Sequence, residues 1–256
     1  MRSLRAEVGD RAPFLRWSFL RFALGQHTVA ETGQVGDGRE EALLAHVTAH
    51  AEAGDIDATI RVIDDFARTE SFLMNVGDEK GEILDLAIDR AQPLCLLELG
   101  AYCGYSALRA ARAMPAEAVL VSVEASAANV SIARQVIQHA GAADRVTVLQ
   151  GRIGDDGATL DRLRSEHGFD TGTLDFVFLD HAKTDYLPDL QRIVAAGWLH
   201  TGSVVVADNI RTPGVPDYLA YMRSEQGRRW RTVEHDTHVE YQSVLRDVVL
   251  ESEYIG

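Results

Sequence analysis

Two polar clusters, each at the end of an apolar run, carry residue types that bind a hard metal ion. Asp180 ends the run LDFVFLD, and Asp208 and Asn209 end the run VVVADN. If these runs are neighbouring strands of a parallel sheet, their carboxyl ends meet at the edge where ligands bind. Carboxylate and amide oxygens select a divalent ion such as Mg²⁺, and no Cys or His pair has the spacing of a zinc site. The sequence therefore predicts a magnesium site of Asp180, Asp208 and Asn209, although either aspartate alone is more typical of a turn or cap.

Lys183 follows in the same loop as Asp180 and is a candidate general base. An ammonium that lies close to a divalent ion and is partly desolvated loses its proton more easily than one in water. The chain has only two lysines among its 25 basic residues, Lys80 and Lys183. Arginine cannot lose its proton, so a retained lysine favours a base over the alternative of a solvated surface residue. His181 receives no base role, because its neighbour Asp180 is assigned to the metal.

A second group of candidate residues follows the apolar run LCLLELG. Glu98, Gly100 and Ser106 lie at its end, where a glycine lets a ligand approach the backbone. The spacing G-x-x-x-G is not the dinucleotide pattern G-x-G-x-x-G, which argues against a nicotinamide oxidoreductase. Glu124 ends the next apolar run, at the place where an acidic side chain commonly holds a ribose. Carboxylates without a phosphate-binding pattern suit a cationic nucleoside such as S-adenosylmethionine, with the alternative that Glu98 and Glu124 only cap helices.

Short apolar runs that alternate with helix-length segments must position these residues. Unbroken apolar character is typical of strands buried on both faces of a parallel sheet, and the βα rhythm predicts a doubly wound α/β domain. Two later segments, Thr232–Tyr241 and Val244–Tyr254, predict an antiparallel hairpin at a sheet edge. The predicted parallel strands are Leu94–Leu99, Val119–Val123, Val146–Leu149, Leu174–Leu179 and Val204–Ala207.

Composition excludes several classes of protein. The chain has 256 residues, 46% of them hydrophobic, two cysteines and a formal charge of -14. That apolar content excludes a disordered chain, and two cysteines exclude a disulfide mini-protein. The negative balance argues against a nucleic-acid partner, which requires a basic surface. No run of 18 apolar residues occurs, so we expect no membrane span. Cys95 lies in an apolar run and Cys103 in a turn, which fits reduced thiols in a cytoplasmic protein.

Residues 1–35 differ from the rest of the chain in charge. They contain five arginines and three acidic residues, whereas the remainder is strongly acidic. We expect an N-terminal extension over 1–35 and a single domain over 36–256. The extension is expected to fold back on the domain or, alternatively, to form a basic amphipathic helix that contacts a membrane or a partner.

Five segments of the chain resemble the catechol O-methyltransferases in identity, order and spacing. The resemblance covers roughly residues 36–256, and it implies a seven-stranded, Rossmann-like methyltransferase sheet. It also implies transfer of a methyl group from S-adenosylmethionine, with Mg²⁺, to one hydroxyl of a small-molecule catechol. The segments are MNVGDEKG at 74–81, LLELGAYCGYSALRAAR at 96–112, DFVFLDHAKTDYLPD at 175–189, VVVADNIRTPGVPDYLAY at 204–221 and VEYQ at 239–242.

The resemblance also implies a role for each matched residue. Asp180, Asp208 and Asn209 would hold the metal, and Lys183 would be the base. The implied substrate contacts are Lys183, Asn209, Glu240, Met74 and Pro213. The resemblance implies that Val76 and Ser106 contact the methionine end of the cofactor, that Glu98 and Tyr102 lie along that end, and that Glu124 binds the ribose. The other implied cofactor contacts are Gly100, Asp180 and His181. Lys80, at a helix start, is expected to be structural or close to the cofactor rather than catalytic.

The chain departs from the family pattern at two places. Phe72 and Ala182 stand where the family usually has tryptophans around the catechol ring, so we expect a wider or less aromatic mouth. The family's adenine loop is replaced by Gly151-Arg152-Ile153-Gly154, which leaves no expectation for adenine contacts there. The alternatives are a cation-dependent methyltransferase of caffeoyl-type or natural-product phenols and, in another class, a non-catalytic nucleoside-binding protein.

Overall fold

A seven-stranded sheet forms the centre of the computed structural model, which describes residues 17–256. The strands are β1 Cys95–Leu99, β2 Val119–Glu124, β3 Val146–Gln150, β4 Leu174–Leu179, β5 Leu199–Ala207, β6 Trp230–His238 and β7 Arg246–Tyr254. Their order is β3-β2-β1-β4-β5-β7-β6. The strands β1 to β5 run parallel, and β7 pairs antiparallel with both β5 and β6. The predicted doubly wound α/β fold with a C-terminal antiparallel hairpin is therefore confirmed.

Helices cover both faces of this sheet. Alternate residues of the central strands point to opposite faces, so Leu96 and Phe176 pack in one core, and Leu97 and Val177 pack in the other. This arrangement explains the unbroken apolar runs, because both faces of the strands are covered. The helices are α1 Trp17–Leu24, α2 Gln26–Thr32, α3 Arg39–His50, α4 Ile56–Thr69, α5 Gly77–Ala91, α6 Tyr105–Ala113, α7 Ala127–His139, α8 Ala158–His167, α9 Tyr186–Ala195 and α10 Pro216–Ser224.

The fifth strand is longer than the sequence predicts. It begins at Leu199 rather than at Val204, and its first half contains His200, Thr201 and Gly202. These residues break the apolar run, and the pairing of β5 with β4 shifts register at the same place. The prediction was wrong there because the strand start is exposed and polar, so its sequence resembles a loop.

The segment that precedes α3 contacts the rest of the chain at several points. The Arg39 guanidinium donates to the carbonyl oxygen of Ser18 at 2.9 Å, and Asn129 Nδ2 donates to the carbonyl oxygen of Gly33 at 3.0 Å. None of the described helices is both long and apolar enough to cross a membrane. The boundary at residue 35 stays a prediction, and residues 1–16 of the predicted extension lie outside the described residues.

Candidate functional site

A cavity of about 830 Å³ opens at the carboxyl ends of the parallel strands. Most of the residues that the sequence predicts to be functional line it. They are Met74, Gly100, Tyr102, Glu124, Asp180, His181, Lys183, Asn209, Pro213 and Glu240. The remaining predicted residues, Val76, Glu98, Ser106 and Asp208, are buried. The fold therefore gathers residues from six separate segments around one cavity.

The predicted metal ligands lie side by side because β4 and β5 are neighbours in register. Leu179 pairs with Ala207, so Asp180 and Asp208 follow at the same level, and the Asp208 amide donates to the Leu179 carbonyl at 3.0 Å. Asn209 has a left-handed backbone (φ 57°), which turns the chain away at the strand end. Two carboxylates and an amide are thus brought to one edge of the sheet.

The chemistry of this donor set suits a hard cation, although its carboxylates are paired with lysines. Among residues 17–256, no three His, Cys, Asp or Glu side chains are grouped as ligands of an ion. The predicted set has only two carboxylates. Its third member, Asn209, donates through Nδ2 to Asp247 and Glu240, so its oxygen Oδ1 points away from these two carboxylates. Oxygen donors of this kind are those that Mg²⁺ takes.

Lys80 lies directly behind these residues as a fully buried cation. Its Nζ donates to Asp208 Oδ2 at 2.7 Å, to Asp247 Oδ2 at 3.2 Å and to Glu240. Burial alone would lower the pKa of Lys80, but the three carboxylates raise it above its ordinary value. Lys80 therefore stays charged and offsets part of the negative charge that the fold collects here.

Asp208 experiences two opposing effects on its charge. Burial raises the pKa of Asp208 above its ordinary value, and the carboxylates of Asp180 and Glu240 act in the same direction. The ammonium groups of Lys80 and Lys183 act in the opposite direction. A further positive charge at this place would favour the ionised form.

Lys183 lies at the cavity wall in a short turn between β4 and α9. Its Nζ donates to Asp180 Oδ1 and to the Tyr186 hydroxyl oxygen, both at 2.8 Å. Burial raises the pKa of Tyr186 well above its ordinary value, so this phenol remains a neutral partner. His181 Nε2 lies 3.2 Å from Asp189 Oδ2, and its ring stacks on the ring of Tyr186.

Glu98 is a buried carboxyl at the end of β1. The side chains of Ser106 and Ser122 hydrogen-bond to it. Burial raises the pKa of Glu98 to about 7 in spite of these donors, and the charges of Asp180 and Glu124 add to the increase. Its ionisation is therefore costly unless a cation lies nearby.

Glu124 accepts hydrogen bonds from two backbone amides. Its Oε2 accepts from Tyr102 N at 2.9 Å, and its Oε1 accepts from Ser126 N at 2.8 Å, just before α7. These bonds match the alternative that Glu124 serves as a structural cap. Because Glu124 also lines the cavity, its contact with a ribose stays a prediction.

Gly100 is required by the protein's own packing. It has a positive φ of 102°, and a Cβ at this position would lie 2.2 Å from the carbonyl oxygen of Asp180. The absence of a side chain therefore lets the loop after β1 and the loop after β4 touch. Because Gly100 also lines the cavity, its predicted contact with a ligand stays a prediction.

Sequence reasoning missed an aromatic residue of the cavity's apolar wall. Phe22 of α1 lines the cavity, and its ring lies 5.1 Å from the ring of Phe72. Ala182, Met74 and Pro213 line the cavity as well. The mouth therefore gains an aromatic ring from the N-terminal segment, which lies outside the region of family resemblance and carries no recognisable motif.

Two buried amides at the cavity have unused acceptors. The Oδ1 atoms of Asn75 and Asn129 have no hydrogen-bond partner within the described part of the chain, and both residues line the cavity. A buried polar atom without a partner is costly, so these two oxygens are candidate acceptors for the N–H or O–H groups of a polar ligand. The loop of Gly151, Arg152 and Ile153 reaches the same cavity.

Comparison with known proteins gives consistent similarities. A family model described as O-methyltransferase matches residues 59–234. A probable O-methyltransferase of Mycobacterium tuberculosis is 59% identical over 91% of this chain and 100% of its own length. Catechol O-methyltransferase of Mus musculus is 39% identical over 82% of this chain and 77% of its own length. A Bacillus cereus O-methyltransferase, solved with S-adenosylhomocysteine (SAH), shares the fold with a TM-score of 0.61 at 22% identity, over 92% of this chain and 99% of its own.

Proposed function

The chain belongs to the O-methyltransferase family, and from that premise we propose that it transfers a methyl group from S-adenosylmethionine to one hydroxyl of a catechol with the help of Mg²⁺. One observation carries the proposal. Asp180 and Asn209, at the ends of neighbouring strands, face the same cavity as Lys183 and Glu240. A cation site, a base and a second acidic side chain around one cavity are what methylation of a vicinal diol requires.

The cofactor end of the cavity suits a cationic nucleoside. Glu98 is a buried carboxyl whose ionised form a nearby sulfonium would stabilise, since an opposite charge favours ionisation. Asn75 and Asn129 offer buried acceptors for the cofactor's N–H or O–H groups. S-adenosylmethionine supplies the chemistry of an activated methyl group, which an oxygen nucleophile takes in a single displacement.

The metal would be held by Asp180, Asp208 and Asn209. When bound, Mg²⁺ supplies Lewis-acid chemistry that makes a coordinated hydroxyl easier to deprotonate. The chain's own residues then fix the reacting oxygen in place. Asn209 would present its oxygen to the metal, and Glu240, which accepts from Lys80 and from Asn209, would accept a hydrogen bond from the second hydroxyl of the diol.

Lys183 would act as the general base. In its amine form, its Nζ accepts the proton of the hydroxyl that is to be methylated, and the oxygen keeps the electron pair for attack. The Tyr186 hydroxyl lies 2.8 Å from this nitrogen and holds it at the cavity wall. Positioning of the reactants then supplies much of the rate enhancement.

The substrate wall favours a second candidate class of acceptors. Ala182 and Phe72 provide less bulk than tryptophans at these positions would, and the cavity has a volume of about 830 Å³. A caffeoyl-type or natural-product phenol with vicinal hydroxyls is therefore the alternative acceptor. Both acceptor classes use the same metal and base residues.

A methyl-transfer assay tests the proposal. Purified protein is mixed with labelled S-adenosylmethionine and a panel of catechols, with Mg²⁺ or with EDTA. We expect transfer to vicinal diols, none to the corresponding monophenols, and loss of transfer in EDTA that added Mg²⁺ restores. Transfer that persists in EDTA would remove the metal from the proposal, and cofactor binding without transfer to any phenol would favour the nucleoside-binding alternative.

A further inference from the structure

Asp247, on β7, is a buried carboxylate that no sequence motif connects with a function. Its side chain is 0% exposed, and the residue belongs neither to the cavity wall nor to any matched motif. It lies behind Asn209, and its two oxygens have different sets of partners. Each oxygen therefore has its own structural role, one toward a turn and the other toward the Asn209 amide.

The first oxygen fastens a turn. Asp247 Oδ1 accepts from the backbone amides of Arg211 at 3.1 Å and Thr212 at 3.0 Å, and from Val248 at 2.8 Å. The irregular turn Ile210–Gly214 contains Pro213, which lines the cavity. Oδ1 therefore holds the segment that follows Asn209 against β7.

The second oxygen orients an amide. Asp247 Oδ2 accepts from Asn209 Nδ2 at 3.1 Å and from Lys80 Nζ at 3.2 Å. The nitrogen and oxygen of a planar amide diverge from the same carbon at a fixed angle, so the contact that fixes Nδ2 also fixes the direction of Oδ1. A carboxylate can only accept, and it therefore excludes the flipped amide.

The charge of Asp247 is matched by that of Lys80. Lys80 also donates to Asp208 Oδ2 at 2.7 Å, so one buried ammonium joins Asp247 to a second predicted metal ligand. A buried carboxylate is tolerated only with such a partner. The ion pair of Lys80 and Asp247 therefore contacts both Asp208 and Asn209, on the side away from the cavity.

We propose that Asp247 is a positioning residue of the metal site, which acts through Asn209 by keeping the amide oxygen turned toward the cation. The proposal rests on the proposed function, because it concerns the same metal. Residues that orient metal ligands commonly account for about 10- to 100-fold in metal affinity or activity.

The substitution Asp247→Asn separates the two roles. Its amide oxygen can still accept from the Arg211, Thr212 and Val248 backbone amides, but its NH₂ group then faces the Asn209 NH₂ group and the Lys80 ammonium. We expect Mn²⁺ affinity, measured by electron paramagnetic resonance on protein without cofactor or substrate, to fall about 10- to 100-fold. S-adenosylmethionine affinity, measured without metal, should stay the same.

The matched control is Asp175→Asn. Asp175 also accepts from two backbone amides through one oxygen and from a basic side chain through the other, and its partners are Leu94 N, Cys95 N and His200. It lies at the opposite end of the sheet, so its loss should leave Mn²⁺ affinity unchanged. If Asp247 acts through Asn209, Asp247→Asn should have little further effect in an Asn209→Ala background.

The possible outcomes separate the inference from the proposed function. If the wild-type protein does not bind Mn²⁺, the metal part of the proposed function is wrong and the inference is wrong with it. If the wild type binds but Asp247→Asn binds equally well, or if the two substitutions have additive effects, only the inference is overturned. If Asp247→Asn does not fold, hydrogen exchange of the wild-type Asn209 side-chain NH₂ decides, because rapid exchange contradicts a fixed amide.

Discussion

At the residue scale, Lys183 is the position where the proposed chemistry can be tested most directly. Substitution to Ala removes the proton acceptor, so we expect kcat to fall about 10²- to 10⁴-fold. Substitution to Arg keeps the charge but should not restore turnover, because a guanidinium does not give up its proton. Steady-state kinetics measures kcat, and calorimetry measures S-adenosylmethionine affinity, which should change little. Turnover near the wild-type level in the Ala variant would show that Lys183 is not the base.

Glu98 offers a pH-dependent test at the same scale. Its pKa is 4.5 in an unfolded chain and about 7 in the fold. The folded protein therefore binds more protons between these values, and the free energy of unfolding decreases as the pH rises from 4.5 to 7 and remains lower above 7. Such a shift corresponds at most to roughly 3 kcal/mol.

The variant Glu98→Gln cannot ionise, so it should lack this loss of stability. We expect its advantage over the wild type in urea unfolding to grow as the pH rises from about 5 to about 8, and its S-adenosylmethionine affinity to be weaker at the higher pH. An advantage that is the same at both pH values would contradict an elevated pKa for Glu98.

At the element scale, helix α1 adds a wall that the resemblance to the family does not include. Phe22 packs on Phe72 across the cavity mouth. We expect the Phe22 ring, which lines the cavity, to pair with the catechol ring as well. An aromatic pair contributes about 0.5–1.5 kcal/mol beyond the area that it buries, so Phe22→Ala should raise the catechol KM roughly 2- to 10-fold with little change in kcat. Leu24→Ala is the matched control, because Leu24 lies in the same helix and is 83% exposed. Equal KM values for both variants would show that α1 does not contact substrate.

The strands and helices differ in how far the sequence alone could predict them. The apolar run before Asp180 predicts β4 to the residue, since buried parallel strands leave an unbroken pattern. The polar start of β5 has no such pattern. The fold class makes β4 and β5 neighbours in the sheet. The sequence alone could therefore predict that Asp180 and Asp208 lie close together.

At the scale of the whole molecule, sequence reasoning predicted most of the cavity's charged residues but missed some of the contacts that hold them in place. Lys80 reaches Asp208 and Asp247 across 128 and 167 positions of the chain. Periodicity and spacing describe neighbours within an element, so they cannot reveal such contacts. Lys80 was expected to be structural or close to the cofactor, and the structure places it behind the predicted metal ligands. Asp247 has no motif, and its partners become visible only when β7 is placed beside β5.

Part of the formal charge of -14 is concentrated at the cavity. Several of the carboxylates converge behind or around one cavity, where Lys80 offsets them only in part. These groups are Glu98, Asp180, Asp208, Glu240 and Asp247. A site with an excess of negative charge favours a cationic cofactor and a divalent ion over a phosphate-bearing ligand.

The scarcity of lysine also makes the folded chain unusually simple to label covalently. Of its two lysines, Lys80 has a side chain that is 1% exposed, whereas that of Lys183 is 24% exposed and faces the cavity. Within residues 17–256, an acylating reagent therefore meets one reachable side-chain amine. Arginine at the other basic positions does not react with it. The extent of acylation at Lys183 thus serves as a built-in reporter of whether the cavity is filled.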